Sequence, residues 1–251
     1  MIRSIVGGFR TFVLVPLLFV YTMALALVVV VAVAINPATK AQDRIVLHWS
    51  RLFLRIPPVT VETSGIENLD PHERYVVVSN HLSMFDIPLL FRELPIHGRF
   101  LAKKELFRLP MIGRGMRAIG IIEIDRQAGG SSRAAIAEGV TIAAERGYSL
   151  IVFPEGTRST EGRLLPFKKG AFRIAIDTGL PILPVVIEGT DRISRPGSKL
   201  FHAGTARLRI LEPIATDGMT NKDDLNPLLV TVETALNDTY AEMREAAAPE
   251  R

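Results

Sequence analysis

The chain has 251 residues, 48% of them hydrophobic and 22% charged, which fits one folded domain of catalytic size with a modest appendage and excludes disordered or collagen-like chains. Cysteine is absent, excluding disulfide frameworks, Cys-ligated zinc, iron–sulfur clusters and a thiol nucleophile. Thirty Lys and Arg against 26 Asp and Glu leave a formal charge of +4, a mild basic excess that suits anionic lipid, nucleic acid or phosphate esters equally.

From Thr11 to Thr39 there are 29 residues without a charged or His side chain, containing Leu25-Ala-Leu-Val-Val-Val-Val-Ala-Val-Ala-Ile35. As a helix this run reaches about 43 Å, against roughly 30 Å of bilayer hydrocarbon. Val33-Ala34-Ile35-Asn36 lacks the usual cleavage pattern of a signal peptide, so the run reads as an uncleaved anchor. Pro16 predicts a kink and Asn36-Pro37 an end; a bent helix or a re-entrant pair of helices competes with a simple span. Arg3 and Arg10 precede the run, while Lys40, Arg44, Arg51 and Arg55 follow it, and the positive-inside rule turns the bulk of the protein toward the cytoplasm. In Arg44 to Ile56, basic Arg44, His48, Arg51 and Arg55 share one face, with Ile45, Trp49, Leu52 and Ile56 on another. This spacing predicts an interfacial amphipathic helix ended by Pro57-Pro58, although a soluble helix with a solvated basic face has the same pattern. Residues 1–58 are thus the expected membrane anchor and interfacial helix, and 59–251 the expected folded domain.

Beyond Val59 the pattern alternates. Strands are expected at Val59 to Glu62, Tyr75 to Ser79, Arg99 to Ala102, Ile121 to Ile124, Ser149 to Phe153, Ile182 to Ile187 and Ala206 to Leu211. Helices are expected at Phe85 to Glu93, Ser131 to Arg146, Lys169 to Thr178 and about Asp223 to Ala247, the last with an apolar stripe through Leu225, Leu228, Leu229, Val232, Ala235 and Leu236. The fold class is therefore α/β, a single domain whose mixed, largely buried sheet is flanked by helices, because Tyr75 to Val78 and Leu150 to Phe153 are continuous apolar runs. The basic excess is local: His97 to Arg126 holds seven Lys and Arg against three acids. An anionic ligand could dock on that cluster, but a solvated helix surface is the commoner meaning of such a pattern.

Four blocks carry candidate chemistry. Asn80-His81-Leu82-Ser83-Met84-Phe85-Asp86 directly follows an apolar strand. His and Asp five positions apart lie about 140° apart on a continuous helix, so they meet only if His81 sits in the turn before it. Pro88 favours this, being tolerated in a first turn. Asp86 on one ring nitrogen would leave the other as a general base, or the two form a structural pair. Phe153-Pro154-Glu155-Gly156-Thr157-Arg158-Ser159 has the content of an anion cradle: a glycine for close approach, two hydroxyls and a planar guanidinium. A surface turn with a Glu155–Arg158 ion pair fits it too. Lys103 and Arg126 flank consecutive elements through Pro110, Gly113 and Asp125. Leu180 to Ile187 is a Pro-interrupted strand suited to lining an apolar slot.

Taken in this order, the blocks resemble the glycerophospholipid acyltransferase family, the group that includes 1-acylglycerol-3-phosphate acyltransferase. The resemblance spans about Val59 to Pro213: N-H-x4-D at Asn80, His81 and Asp86; the basic–Pro–Gly–I-D-R pattern at Lys103, Pro110, Gly113, Asp125 and Arg126; F-P-E-G-T-R-S from Phe153 to Ser159; and the strand around Pro184. It implies transfer of a fatty acyl group from a thioester, acyl-CoA or acyl carrier protein, to the free hydroxyl of lysophosphatidate. His81 would be the base and Asp86 its orienter, with Asn80, Lys103, Arg126, Glu155, Gly156, Thr157 and Arg158 at the substrate. Activation is stored in the thioester, so no metal or cofactor is expected, nor a nucleic-acid partner; the expected location is a bacterial cytoplasmic membrane, with the catalytic domain on the cytoplasmic face. Hydrolase and nucleotide-enzyme readings lack G-x-S-x-G, H-E-x-x-H, G-x4-G-K-[ST] and G-x-G-x-x-G. Two alternatives stay open: acylation of another acceptor (glycerol-3-phosphate, another lysophospholipid or an amino-acid lysolipid), and a non-catalytic, membrane-anchored binder of anionic lipid.

Overall fold

The continuous apolar runs become strands, and the computed structural model describes residues 2–37, 39–124, 139–143, 145–159, 162–195, 197–198 and 200–247, with side chains from residue 12 onward. The elements are α1 (Ile2–Ile35), α2 (Ala41–Phe53), β1 (Val59–Ser64), β2 (Val76–Ser79), α3 (Asp86–Glu93), β3 (Gly98–Lys103), α4 (Lys104–Phe107), α5 (Ile112–Ala118), β4 (Ile122–Ile124), β5 (Ser149–Val152), α6 (Gly170–Thr178), β6 (Ile182–Glu188), α7 (Thr190–Ile193), β7 (Gly204–Ile210) and α8 (Leu225–Ala246). Each expected strand forms, in a mixed seven-stranded sheet flanked by helices. The expected helix at Ser131 to Arg146 falls mostly outside the described residues; 139–143 are helical.

Two units are distinguished by their internal contacts: Met1–Ile56 with Ile87–Leu150, and Pro57–Asp86 with Ile151–Arg251. In the second, strand order runs β1-β7-β6-β2 to the Ile151–Val152 end of β5. β1 is parallel to β7 and β2 to β6, while β6 and β7 are antiparallel. All seven residues of β6 are buried, as a central strand with both faces covered requires. Pro184 has no N–H to give. It falls where the partner along one edge of β6 changes from an isolated bridge at Ile182↔Ile214 to β7, which starts at Val185↔Ile210. The α8 stripe packs on β6, burying Leu225, Leu228, Val232, Leu236, Tyr240 and Met243; each of the five other than Tyr240 contributes about 1.5–3 kcal/mol when fully withdrawn from water.

In the first unit, strand order runs from the Ser149–Leu150 end of β5 to β3 and β4, the last two parallel. Helix α1 continues through Pro16, so the kink expected there does not interrupt it, and ends at Ile35 as Asn36-Pro37 predicts. One lost hydrogen bond does not break an otherwise apolar helix of this length. Phe12–Ile35 is long and apolar enough to cross a bilayer, and Phe12 and Ile35 stand 79% and 80% exposed. Helix α2 starts and ends three residues earlier than expected, leaving Arg55 and Ile56 in the turn beyond it. Arg44, His48 and Arg51 are exposed on it as the spacing predicts, but Gln42 and Ser50 are buried. Polar contacts fasten α2: Asp43 binds Arg99 at 2.6 Å and His97 at 3.0 Å, and Gln42 donates to the Tyr148 hydroxyl at 2.6 Å. Arg99 is thereby buried over the Tyr148 ring and Arg117 pairs with exposed Glu123, so part of the basic cluster is internal or neutralised.

Between α1, α2, β3, α4 and α5 lies a cavity of about 340 Å³, inside the range of ~300–1,000 Å³ typical of small-molecule pockets. Leu25, Ala26, Val29, Trp49, Phe100 and Met116 are among its apolar lining residues. Ile45 and Trp49, on the apolar face of α2 that the spacing sets apart from its basic face, belong to this lining. Gly115 lets α5 approach α1, since a Cβ there would meet the Ala26 Cβ at 2.9 Å.

Candidate active site

β2 ends at Ser79 and α3 starts at Asp86, so His81 occupies the intervening turn and Pro88 the helix's first turn, the arrangement the His–Asp spacing requires. The turn is gripped from its start. The Asn80 amide donates to the Ile187 carbonyl and accepts from the Ile187 N–H, both at 2.8 Å, tying it to β6. His81 Nδ1 lies 2.7 Å from Asp86 Oδ2, and the ring stacks on Phe153 at 4.1 Å between centroids. Asp86 is fully buried, and its carboxylate meets four donors. Oδ2 accepts from His81, from Leu82 N–H at 2.7 Å and from Ser83 N–H at 2.8 Å; Oδ1 accepts from the Thr190 hydroxyl at 2.5 Å. Four donors offset the desolvation of a carboxylate removed from water.

The Phe153 to Ser159 block follows β5. Glu155 is buried, and no Glu155–Arg158 ion pair forms. Glu155 Oε1 accepts the His81 backbone N–H at 2.7 Å and Oε2 the Leu165 N–H at 2.8 Å, while Ser159 N–H donates to the His81 carbonyl at 2.8 Å. Burial pushes the Glu155 carboxyl from 4.5 up to about 7, reinforced by the nearby charge of Asp86 and opposed by the two N–H donors. Gly156 adopts φ 75°, and a Cβ there would lie 2.8 Å from Lys168 Nζ. Thr157 and Arg158 are exposed, and among the described residues Arg158 has no ion-pair partner. These groups provide an oriented imidazole beside a glycine turn and an unpaired guanidinium, suited to moving a proton next to an anionic ligand.

Lys103 is exposed at the end of β3, and Arg126 and Asp125 lie outside the described residues. Ile182 to Ile187, expected to line an apolar slot, forms the buried core strand β6; the cavity in the first unit is lined by other elements. Sequence reasoning missed Thr190, Leu165 and Lys168 as neighbours of the motif residues. Thr190 and Leu165 belong to none of the four blocks. Lys168 carries no signal beyond the basic pair Lys168-Lys169 directly before α6.

A sequence model of the family described as "Acyltransferase" matches residues 60–188, more than half of the chain. The chain belongs to the acyltransferase family. Among its acyltransferase relatives, the 1-acyl-sn-glycerol-3-phosphate acyltransferase alpha of Ovis aries is 32% identical over 185 residues, covering 74% of this chain and 64% of the relative. The 1-acyl-sn-glycerol-3-phosphate acyltransferase of Saccharomyces cerevisiae is 35% identical over 202 residues, covering 80% of this chain and 65% of the relative. The chain thus spans just under two thirds of the length of these two. The crystal structure of the 1-acyl-sn-glycerophosphate (LPA) acyltransferase PlsC from Thermotoga maritima superposes with a TM-score of 0.83 at 28% identity, covering 99% of this chain and 100% of that one. The acyltransferase match takes in His81, Asp86 and Glu155 to Arg158, and stops two residues short of Thr190.

Proposed function

We propose that this protein is a membrane-bound acyltransferase that moves a fatty acyl group from an acyl thioester to the free hydroxyl of lysophosphatidate, giving phosphatidate. The observation that carries the reading is the 2.7 Å contact between His81 Nδ1 and Asp86. A carboxylate only accepts, so Nδ1 keeps its proton and Nε2 keeps the lone pair that a general base needs. Nε2 takes the proton of the acceptor hydroxyl as its oxygen attacks the thioester carbonyl. The C–S bond then breaks, and His81 returns the proton to the departing thiolate, leaving an ester and a free thiol. The donor is acyl-CoA or acyl carrier protein.

Arg158, Thr157 and Gly156 hold the acceptor phosphate in this reading, and the family resemblance assigns Lys103 and Arg126 to the same ligand. Asn80 and Glu155 serve the substrate by fixing the backbone on which these groups stand, in keeping with their bonds to Ile187, His81 and Leu165. The apolar cavity of the first unit suits an acyl chain. Residues 1–58 anchor the protein and 59–251 form the catalytic domain, held at the cytoplasmic face of the membrane. Lysophosphatidate is favoured as acceptor by the names of the relatives in sheep, yeast and Thermotoga.

The test is phosphatidate formation by detergent-purified protein from oleoyl-CoA or acyl carrier protein thioester and lysophosphatidate, beside His81→Ala and with glycerol-3-phosphate or lysophosphatidylcholine as other acceptors. Turnover with lysophosphatidate that a folded His81→Ala variant lacks supports reaction and base together. Turnover with another acceptor alone moves the substrate and keeps the mechanism. No transfer from either donor overturns the reading in favour of lipid binding.

A further inference from the structure

Asp86 is held asymmetrically. Three donors converge on Oδ2, and among the described residues the Thr190 hydroxyl alone reaches Oδ1. Both side chains are fully buried. We propose that Thr190 is a positioning residue for the reaction: its hydroxyl locks the Asp86 carboxylate in the rotation that presents Oδ2 to His81 Nδ1. The proposal rests on the reading of His81 as general base.

The physical case starts from the carboxylate. A buried oxygen without a donor carries the full desolvation penalty of the group. Without the Thr190 hydroxyl, Oδ1 would relieve that penalty by turning toward the Leu82 and Ser83 N–H groups. Such a turn withdraws Oδ2 from the imidazole and frees the ring from the one orientation that aims Nε2 at the acceptor. A hydroxyl on the far side makes the observed rotation the one in which both oxygens are satisfied.

Thr190 itself is placed by the backbone. It opens α7 directly after Gly189, which has φ 90° and packs so closely on β7 that a Cβ would meet the Thr205 carbonyl oxygen at 2.3 Å. A threonine inside a helix commonly donates to a carbonyl one turn back. At the first position there is no such intrahelical carbonyl, so the hydroxyl is free to face Asp86. A second tie runs between the same two segments, from Ser83 Oγ to the Ser194 carbonyl at 2.9 Å, and Ser194 N–H closes α7 on the Thr190 carbonyl at 3.0 Å. The segment after β6 is thus a backstop for the catalytic turn, and Thr190 is its point of contact with the carboxylate.

The experiment compares the full-length protein in detergent with Thr190→Val, Thr190→Ala, Thr190→Ser and His81→Ala, reading kcat, KM for each substrate and the unfolding midpoint. Valine keeps the shape and loses the donor; alanine loses the donor without risk of overpacking; serine restores it. Thr190→Val and Thr190→Ala should each lower kcat about tenfold, within the ~10²–10⁴ that a general base supplies, with both KM values within about twofold of wild type. Thr190→Ser should recover kcat to within about twofold. The proposal is overturned if the hydroxyl-free variants keep wild-type kcat while His81→Ala is dead, or if serine fails to rescue a folded protein. It is overturned too by a loss in KM rather than kcat. If His81→Ala itself turns over at the wild-type rate, the base assignment fails and takes this role for Thr190 with it.

Discussion

The turn around His81 and the cavity of the first unit are built on opposite principles. Around His81, the polar groups of Asn80, Asp86 and Glu155 each have two or more partners, most of them backbone N–H or C=O groups that cannot swing away. In the first unit, α1 leaves much of its apolar surface bare, and Gln42 Oε1, Ser50 Oγ and Arg99 Nε are buried without a hydrogen-bond partner among the described residues; beside the His81 turn, Ser159 Oγ is left so as well. Proton transfer needs donor and acceptor held to a fraction of an ångström, which a dense hydrogen-bond frame supplies. An acyl chain needs only a dry, shaped space, for which apolar side chains in loose register suffice.

Substitutions at the stiff end should therefore cost the most. Asp86→Asn removes the charge and replaces one oxygen with an amide NH2 that, whichever way it is turned, faces a donor; kcat should fall by about 10²–10⁴ with little change in either KM, read by steady-state kinetics. Arg158→Ala should act on binding instead. It is expected to raise KM for lysophosphatidate about tenfold and leave KM for the thioester within about twofold; equal loss of both would remove its phosphate role.

Glu155 gives the frame a pH signature. Its carboxyl is held up at about 7 from an ordinary 4.5, so the folded state keeps this proton longer than the unfolded chain does. Its contribution is then most favourable below about 4.5 and declines as pH rises toward about 7. Thermal unfolding of wild type against Glu155→Gln should show wild type losing ground to the variant between about pH 5 and about pH 8. A constant difference across that range would mean that Glu155 titrates as an ordinary carboxylate. Ala102→Leu, at the permissive end, should have the smallest effect. Filling part of the cavity should move donor preference toward shorter acyl thioesters by about tenfold per methylene pair at most, with kcat for the preferred chain near wild type.

The same contrast explains what could be read in advance. Apolar runs such as Val76 to Val78 and Ile182 to Ile187 announce strands because a sheet buried on both faces leaves no polar alternation to confuse the pattern. The His81–Asp86 geometry was legible because five residues and one proline leave few ways to join them. Helices α4, α5 and α7 were not, since four to seven residues span too few turns to establish a 3.6-residue period. Thr190 lies 104 positions from Asp86, and a lone threonine after a buried strand carries no pattern of its own. Glu155 was visible as a residue and opaque in role: its type suggests a ligand contact, while its partners turned out to be two main-chain N–H groups.

That same separation sets an order of events during synthesis. The apolar helix Ile2–Ile35 leaves the ribosome before His81 and Asp86 do, and its Phe12–Ile35 stretch is long and apolar enough to enter a bilayer while they are unmade. At ~5–20 residues per second, Thr190, 104 positions further on, follows Asp86 by roughly 5–20 s. Throughout that interval the nascent chain carries its histidine and aspartate without the hydroxyl proposed to fix them, so on the proposed reading the apolar helix is complete before the base is.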